Sequence, residues 1–131
     1  MPRVLVVDAP QEARSLAASL RLEGFEVLVA HDAEAAIKTC TDEAVDLVLV
    51  ELMLPGQNGL ELARTLAVTR PEARVVLTGN YHLSERQLIR CDCRPCGFVP
   101  KPFSLDELVA FLRSKLPPVP SSTRRLSTAA E

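Results

Sequence analysis

The sequence predicts an α/β protein in which a parallel sheet is covered by helices on both faces. Three observations carry this. Short apolar runs of strand length recur along the chain at residues 4–7, 27–30, 47–50, 75–77 and 98–99. Between them, apolar residues repeat at helical spacing. The best of these runs are continuously apolar, as in strands buried on both faces. Five strands alternating with five helices, joined by right-handed crossovers, make a doubly wound three-layer sandwich.

Taken in order, the run at 4–7 ends on Asp8. Ala13, Leu16, Ala17 and Leu20 then recur at helical spacing, and Gly24 marks the stop. After the second run, Asp32 is placed to cap a helix with Ala33, Ala36, Ile37 and Cys40 on its buried face. The third run ends on Glu51, and Pro55-Gly56 signals a turn. Asn58-Gly59 leads into a helix marked by Leu62, Ala63 and Leu66. Arg70-Pro71 breaks the chain before the fourth run, which ends on Thr78. Ser84 and Gln87 have capping-box spacing and open a short fourth helix through Leu88 and Ile89. The fifth strand centres on Phe98-Val99, with Lys101 just past its end. Pro100 cannot donate to a ladder, so this strand is expected at an edge. Ser104 and Glu107 form another capping box. Leu105, Leu108, Val109, Leu112 and Leu116 mark the apolar side of the last helix.

At 131 residues the chain has the size of one domain, and 47% hydrophobic content suffices for a core without staples. Aromatics are 4% with no Trp, which argues against a stacking surface for nucleic acid. A net charge of -2 gives no field to attract DNA or a membrane. No apolar run approaches bilayer length and the N-terminus lacks signal-peptide architecture, so a cytoplasmic protein with mostly reduced thiols is expected. Residues 1–117 read as one domain. From 118 to 131 the composition turns to Pro, Ser, Thr and Arg without core periodicity, a flexible tail or linker. Arg124-Arg-Leu-Ser127 within it looks like a basophilic kinase site, but such a pattern arises easily in a short basic tail.

Asp8, Glu51, Thr78 and Lys101 each close a different strand. A parallel sheet brings all carboxyl ends to one edge, so four scattered residues can meet at one site. For one polar residue after a strand, loop solvation is the ordinary explanation. All four at strands one, three, four and five are harder to dismiss. Two carboxylates, a hydroxyl and an ammonium suit phosphoryl chemistry or its mimicry, where oriented donors and cations handle charge.

From about residue 2 to residue 116 the chain resembles the receiver domain of two-component response regulators, a family related to the chemotaxis response regulator. The resemblance is carried by Val4-Leu-Val-Val-Asp8, by the stretch Asp46 to Leu60, by Val75-Val-Leu-Thr-Gly79 and by Phe98-Val-Pro-Lys-Pro-Phe103. It implies a flavodoxin-like (βα)5 fold with strand order 2-1-3-4-5. It also implies a metal site of two acids after strand one and a phosphate-accepting aspartate after strand three. A Thr or Ser after strand four and a Lys after strand five would hold the phosphoryl oxygens. The aromatic switch position is Phe98, and the bond Lys101-Pro102 would be cis.

Two departures stand out. The acceptor position holds Glu51 instead of Asp, and Ala9 stands where the second acid of the metal pair belongs. Thr78, Lys101 and Phe98 are kept. Glu reaches at most about 1.5 Å farther than Asp, one carbon–carbon bond. It supplies about one negative charge where a phosphoryl group supplies roughly 1.5 to 2. Its expected partners are the Lys101 ammonium and the Thr78 hydroxyl. The family's three acids and one Lys sum to -2, which invites Mg²⁺. Asp8, Glu51 and Lys101 sum to -1, so Mg²⁺ binding is expected to be weak or absent, and no other cofactor is implied. The first reading is thus a degenerate receiver, not an enzyme, acting on other signalling proteins through helix four, strand five and the last helix. The resemblance also allows a homodimer through that face.

A second reading uses Cys91, Cys93 and Cys96, three thiols in six residues, with His82 as a possible fourth ligand. Soft thiolates at such spacing can bind Zn²⁺ or Cu(I), or form a regulatory disulfide. The spacing is not two CxxC pairs, and inward-packed thiols explain it as simply. A third reading, an enzyme acting on a small phosphorylated ligand, lacks a Gly-rich phosphate cradle, a nucleophile elbow and a nearby His. His31 follows strand two and reads as a surface residue.

Overall fold

The structure, a computed structural model, describes residues 2–54, 56–80 and 97–116, with only the backbone of Gln57. Five parallel strands form the central sheet: β1 (Arg3–Val7), β2 (Glu26–Ala30), β3 (Leu47–Glu51), β4 (Arg74–Gly79) and β5 (Gly97–Pro100). Their order is 2-1-3-4-5, so the strand carrying Pro100 does lie at an edge among the described residues. The helices are α1 (Pro10–Leu22), α2 (Ala33–Asp42), α3 (Gly59–Thr69) and α4 (Leu105–Lys115). The short helix expected through Leu88 and Ile89, the thiols Cys91, Cys93 and Cys96, His82 and the tail 118–131 lie outside the described residues.

Successive strand residues point to opposite faces, so each continuous apolar run feeds two cores. Leu5, Val7, Val48, Val50, Val75 and Leu77 pack with α2 and α3. Val4, Val6, Leu47, Leu49 and Val76 pack with α1 and α4. A fully buried Leu or Val contributes roughly 1.5–3 kcal/mol, so both layers matter to stability. Ala13, Ala17 and Leu20 are the buried residues of α1, and Leu16 is half-buried. In α2 the small residues Ala33, Ala36 and Cys40 let the helix approach the sheet closely. Burial pushes the Cys40 thiol up in pKa, partly opposed by Arg70, and leaves it a small core group.

The caps fall where side-chain chemistry places them. Asp32 accepts from Ala35 N at 2.8 Å, and Asn58 accepts from Leu60 N at 2.7 Å. Ser104 and Glu107 make both bonds of the capping box, each 3.1 Å. One element was not expected. Met53–Leu54 and Gln57–Asn58 pair as an antiparallel ribbon, with Gly56 at φ +73° in the turn. The ribbon and α3 fold back tightly on the end of β3. Gly59 N donates to Leu52 O at 2.7 Å, and a Cβ at Gly59 would collide with the Glu51 carbonyl oxygen.

Candidate functional site

The parallel register delivers the strand-end residues side by side. Glu51, the last residue of β3, lies opposite Thr78, and Thr78 lies opposite Val99. Asp8 follows β1, where its N–H donates to Ala30 O at 3.2 Å. Lys101 follows β5, where its N–H donates to Gly79 O at 2.9 Å. The peptide bond Lys101-Pro102 is cis. Asp8, Glu51 and Thr78 are buried, and Lys101 reaches them from a half-buried position.

Lys101 Nζ joins the two acids. It donates to Glu51 Oε1 at 2.6 Å and to Asp8 Oδ2 at 3.0 Å. The other oxygen of each carboxylate is also taken. Glu51 Oε2 accepts from Met53 N at 3.1 Å, and Asp8 Oδ1 accepts from Ala9 N at 2.7 Å. Burial works against the Lys101 ammonium. The hydrogen bonds to Glu51 and Asp8, with their charges, outweigh it and hold its pKa above the ordinary lysine value. The lysine is therefore a fixed cation at the centre of the site.

The expected contact between Glu51 and the Thr78 hydroxyl is not made. That hydroxyl donates to the Val99 carbonyl at 2.7 Å. A hydroxyl has one proton to donate, and the backbone of the adjacent strand takes it. The Phe98 ring is half-buried and packs on the α2 and α3 side of the core. His31 is exposed. A cleft of about 730 Å³ opens beside the site, lined by Asp8, Glu12, Ser15, Asn80, Lys101 and Phe103. Sequence reasoning missed two members of the site. One is the Met53 N–H, because backbone donors carry no residue signature. The other is Gly79, whose α-carbon faces the Glu51 carboxylate.

The magnesium ion that the receiver resemblance implies does not fit the residues present. Mg²⁺ demands near-octahedral oxygen geometry. Here each oxygen of Asp8 and Glu51 already accepts from an N–H or an ammonium, and Ala9 offers no third carboxylate. Among the described residues, no group of three His, Cys, Asp or Glu side chains could hold a metal ion. None of the described helices is long and apolar enough to cross a membrane.

A doubly wound parallel sheet gathers acid, acid, hydroxyl and lysine at the carboxyl ends of neighbouring strands. The response regulator receiver domain family matches residues 4–113, and the chain belongs to it. The transcriptional regulatory protein CpxR of Klebsiella pneumoniae is 37% identical over 117 residues, 88% of this chain and 50% of that protein. The response regulator MprA of Mycobacterium ulcerans is 36% identical over 116 residues, 87% of this chain and 50% of that protein. The chain thus spans about half the length of these curated relatives. Among solved structures, the response regulator TrrA of Thermotoga maritima in complex with Mg(2+)-BeF is 30% identical. It superposes with a TM-score of 0.76, covering 87% of this chain and 98% of that one.

Proposed function

We propose that this receiver domain signals without phosphoryl transfer, as a protein-interaction module. The observation that carries the reading is the Asp8–Lys101–Glu51 contact, in which one ammonium serves both acids. Phosphoryl transfer to a carboxylate needs a free oxygen in line with the donor and a cation to neutralise the moving charge. Both Glu51 oxygens are already engaged, one by Lys101 and the other by the Met53 N–H, so an in-line attack would have to disturb one of these contacts. Ala9 stands where the acid that would complete a metal pair belongs. TrrA was solved in complex with Mg(2+)-BeF, and that ligand chemistry is what this reading expects the present pocket not to take up.

Glu51 reproduces half of the role of a phosphorylated aspartate. It draws in Lys101, as phosphoryl oxygens would. It leaves Thr78 bound to Val99, because its carboxylate has less charge and no oxygen placed for that hydroxyl. The mimicry therefore extends along the lysine arm only. The partners are other signalling proteins, met through strand β5 with Phe98 and through α4. Transcriptional output of the kind for which CpxR is named would pass through a segment or chain beyond this domain.

Incubation with acetyl phosphate and Mg²⁺, read by intact mass, is expected to add nothing. Stoichiometric labelling that disappears in Glu51→Ala would overturn the proposal. Glu51→Asp alone is expected to restore little, and Ala9→Asp with Glu51→Asp is the pair in which labelling returns.

A further inference from the structure

We infer that Gly79 is a positioning residue for the acid at position 51, and that its missing side chain is the space a glutamate needs here and an aspartate does not. Strand β4 ends at Gly79, next to the residue that lies opposite Glu51. A Cβ built on Gly79 would stand 2.9 Å from Glu51 Oε2, closer than a carbon and an oxygen can approach. It would meet Leu52 Cβ at 3.4 Å and Leu52 Cδ1 at 3.5 Å, which are ordinary contacts. The glycine is not required by its backbone, because the positive-φ glycines among the described residues are Gly24 and Gly56. What excludes a side chain at 79 is therefore the glutamate carboxylate.

That carboxylate has nowhere to retreat without loss. It is buried, with Oε1 on Lys101 and Oε2 on the Met53 N–H. Oε2 is the end of a flexible side chain, but moving it to make room for a methyl group strains its 3.1 Å bond from the Met53 N–H. The Gly79 carbonyl meanwhile accepts from Lys101 N, so the residue that clears space for the acid also holds the backbone of its cation. An aspartate ends about 1.5 Å short of this position and would leave a methyl group at 79 unopposed.

The test is a double-mutant cycle in urea on the full chain: the parent, Gly79→Ala, Glu51→Asp, and both together. Gly79→Ala in the parent is expected to raise the unfolding constant about tenfold, the scale of one lost charged hydrogen bond. Added to Glu51→Asp, the same change is expected to raise it less than about twofold. The Lys101 ammonium, followed by NMR, should titrate lower in Gly79→Ala and not shift further when Gly79→Ala is added to Glu51→Asp. Equal losses in both backgrounds would overturn the inference and assign Gly79 to backbone or Leu52 packing. If Gly79→Ala does not fold, recovery of folding in the double variant supports the inference, and failure of the double variant counts against it. The cycle uses no phosphoryl donor. Labelling of Glu51 would end the signalling proposal and leave this inference standing.

Discussion

The sheet carries one cation between two acids at each of its ends. At the N-terminal ends of the strands, Arg3 bridges Glu26 at 3.1 Å and Glu43 at 3.2 Å. At the C-terminal ends, Lys101 bridges Glu51 at 2.6 Å and Asp8 at 3.0 Å. The geometry is alike and the surroundings are not. Glu26 and Glu43 keep 51% and 49% of their side-chain exposure, whereas Glu51 and Asp8 keep 9% and 8%. Water and salt screen the first cluster, and its partners separate at little cost. In the second, a charge left alone is a charge left in a poorly solvated place. The first cluster fastens β1 to its neighbours. The second sets the charge state of the site.

Removing Lys101 should separate the two clusters most widely. Lys101→Met leaves Asp8 and Glu51 facing each other and is expected to cost about 2–3 kcal/mol. That is below the roughly 3–5 kcal/mol of a fully buried pair, because the lysine keeps some contact with water. Urea unfolding with an unchanged slope would measure it. A loss under about 0.5 kcal/mol would place both clusters in one class.

The same pair of proteins can be compared across pH. The Lys101 pKa is raised in the folded chain, so the folded state holds this proton more tightly than the unfolded state. Its stabilisation is fully present below the ordinary lysine value of about 10.4 and is lost as pH rises through the folded value. The gap between the parent and Lys101→Met should therefore stay constant from neutral pH up to the ordinary lysine range and close above it. A gap that closes on the acid side of that range would point to a different titrating group.

Thr78→Val is expected to cost about 1 kcal/mol, the net worth of its bond to the Val99 carbonyl. Its coupling to Glu51→Gln is expected to stay near the low end for cross-strand neighbours, about 0.5 kcal/mol, since the two side chains share no hydrogen bond. Strong coupling between them would mean that the hydroxyl serves Glu51 in solution. The smallest effect belongs to the outer cluster. Arg3→Ala should shift the urea midpoint only slightly, and the shift should fade in high salt, while the Lys101→Met effect persists there.

Much of the sheet was legible because strand length, apolar continuity and turn residues are local signals. The runs ending on Asp8, Glu51 and Thr78 identified the residues at the strand ends, and the capping box at Ser104 was readable from spacing alone. The ribbon of Met53–Leu54 with Gln57–Asn58 was not legible, since two-residue strands have no period to detect. The Thr78 hydroxyl was assigned to Glu51 on chemical affinity, but the Val99 carbonyl lies beside it in register and takes its single proton.

From residue order alone came the doubly wound architecture, the edge shared by Asp8, Glu51, Thr78 and Lys101, and the two departures at Glu51 and Ala9. Those depend on neighbours a few positions apart, where helical and strand periods act. Which donor meets which acceptor emerged with the packed chain. Lys101 meets partners 93 and 50 positions away, and the fit of Gly79 against Glu51 exists only once β3 and β4 lie in register. A hydrogen bond is decided by position in space to within fractions of an ångström, and no local period in a sequence carries that information.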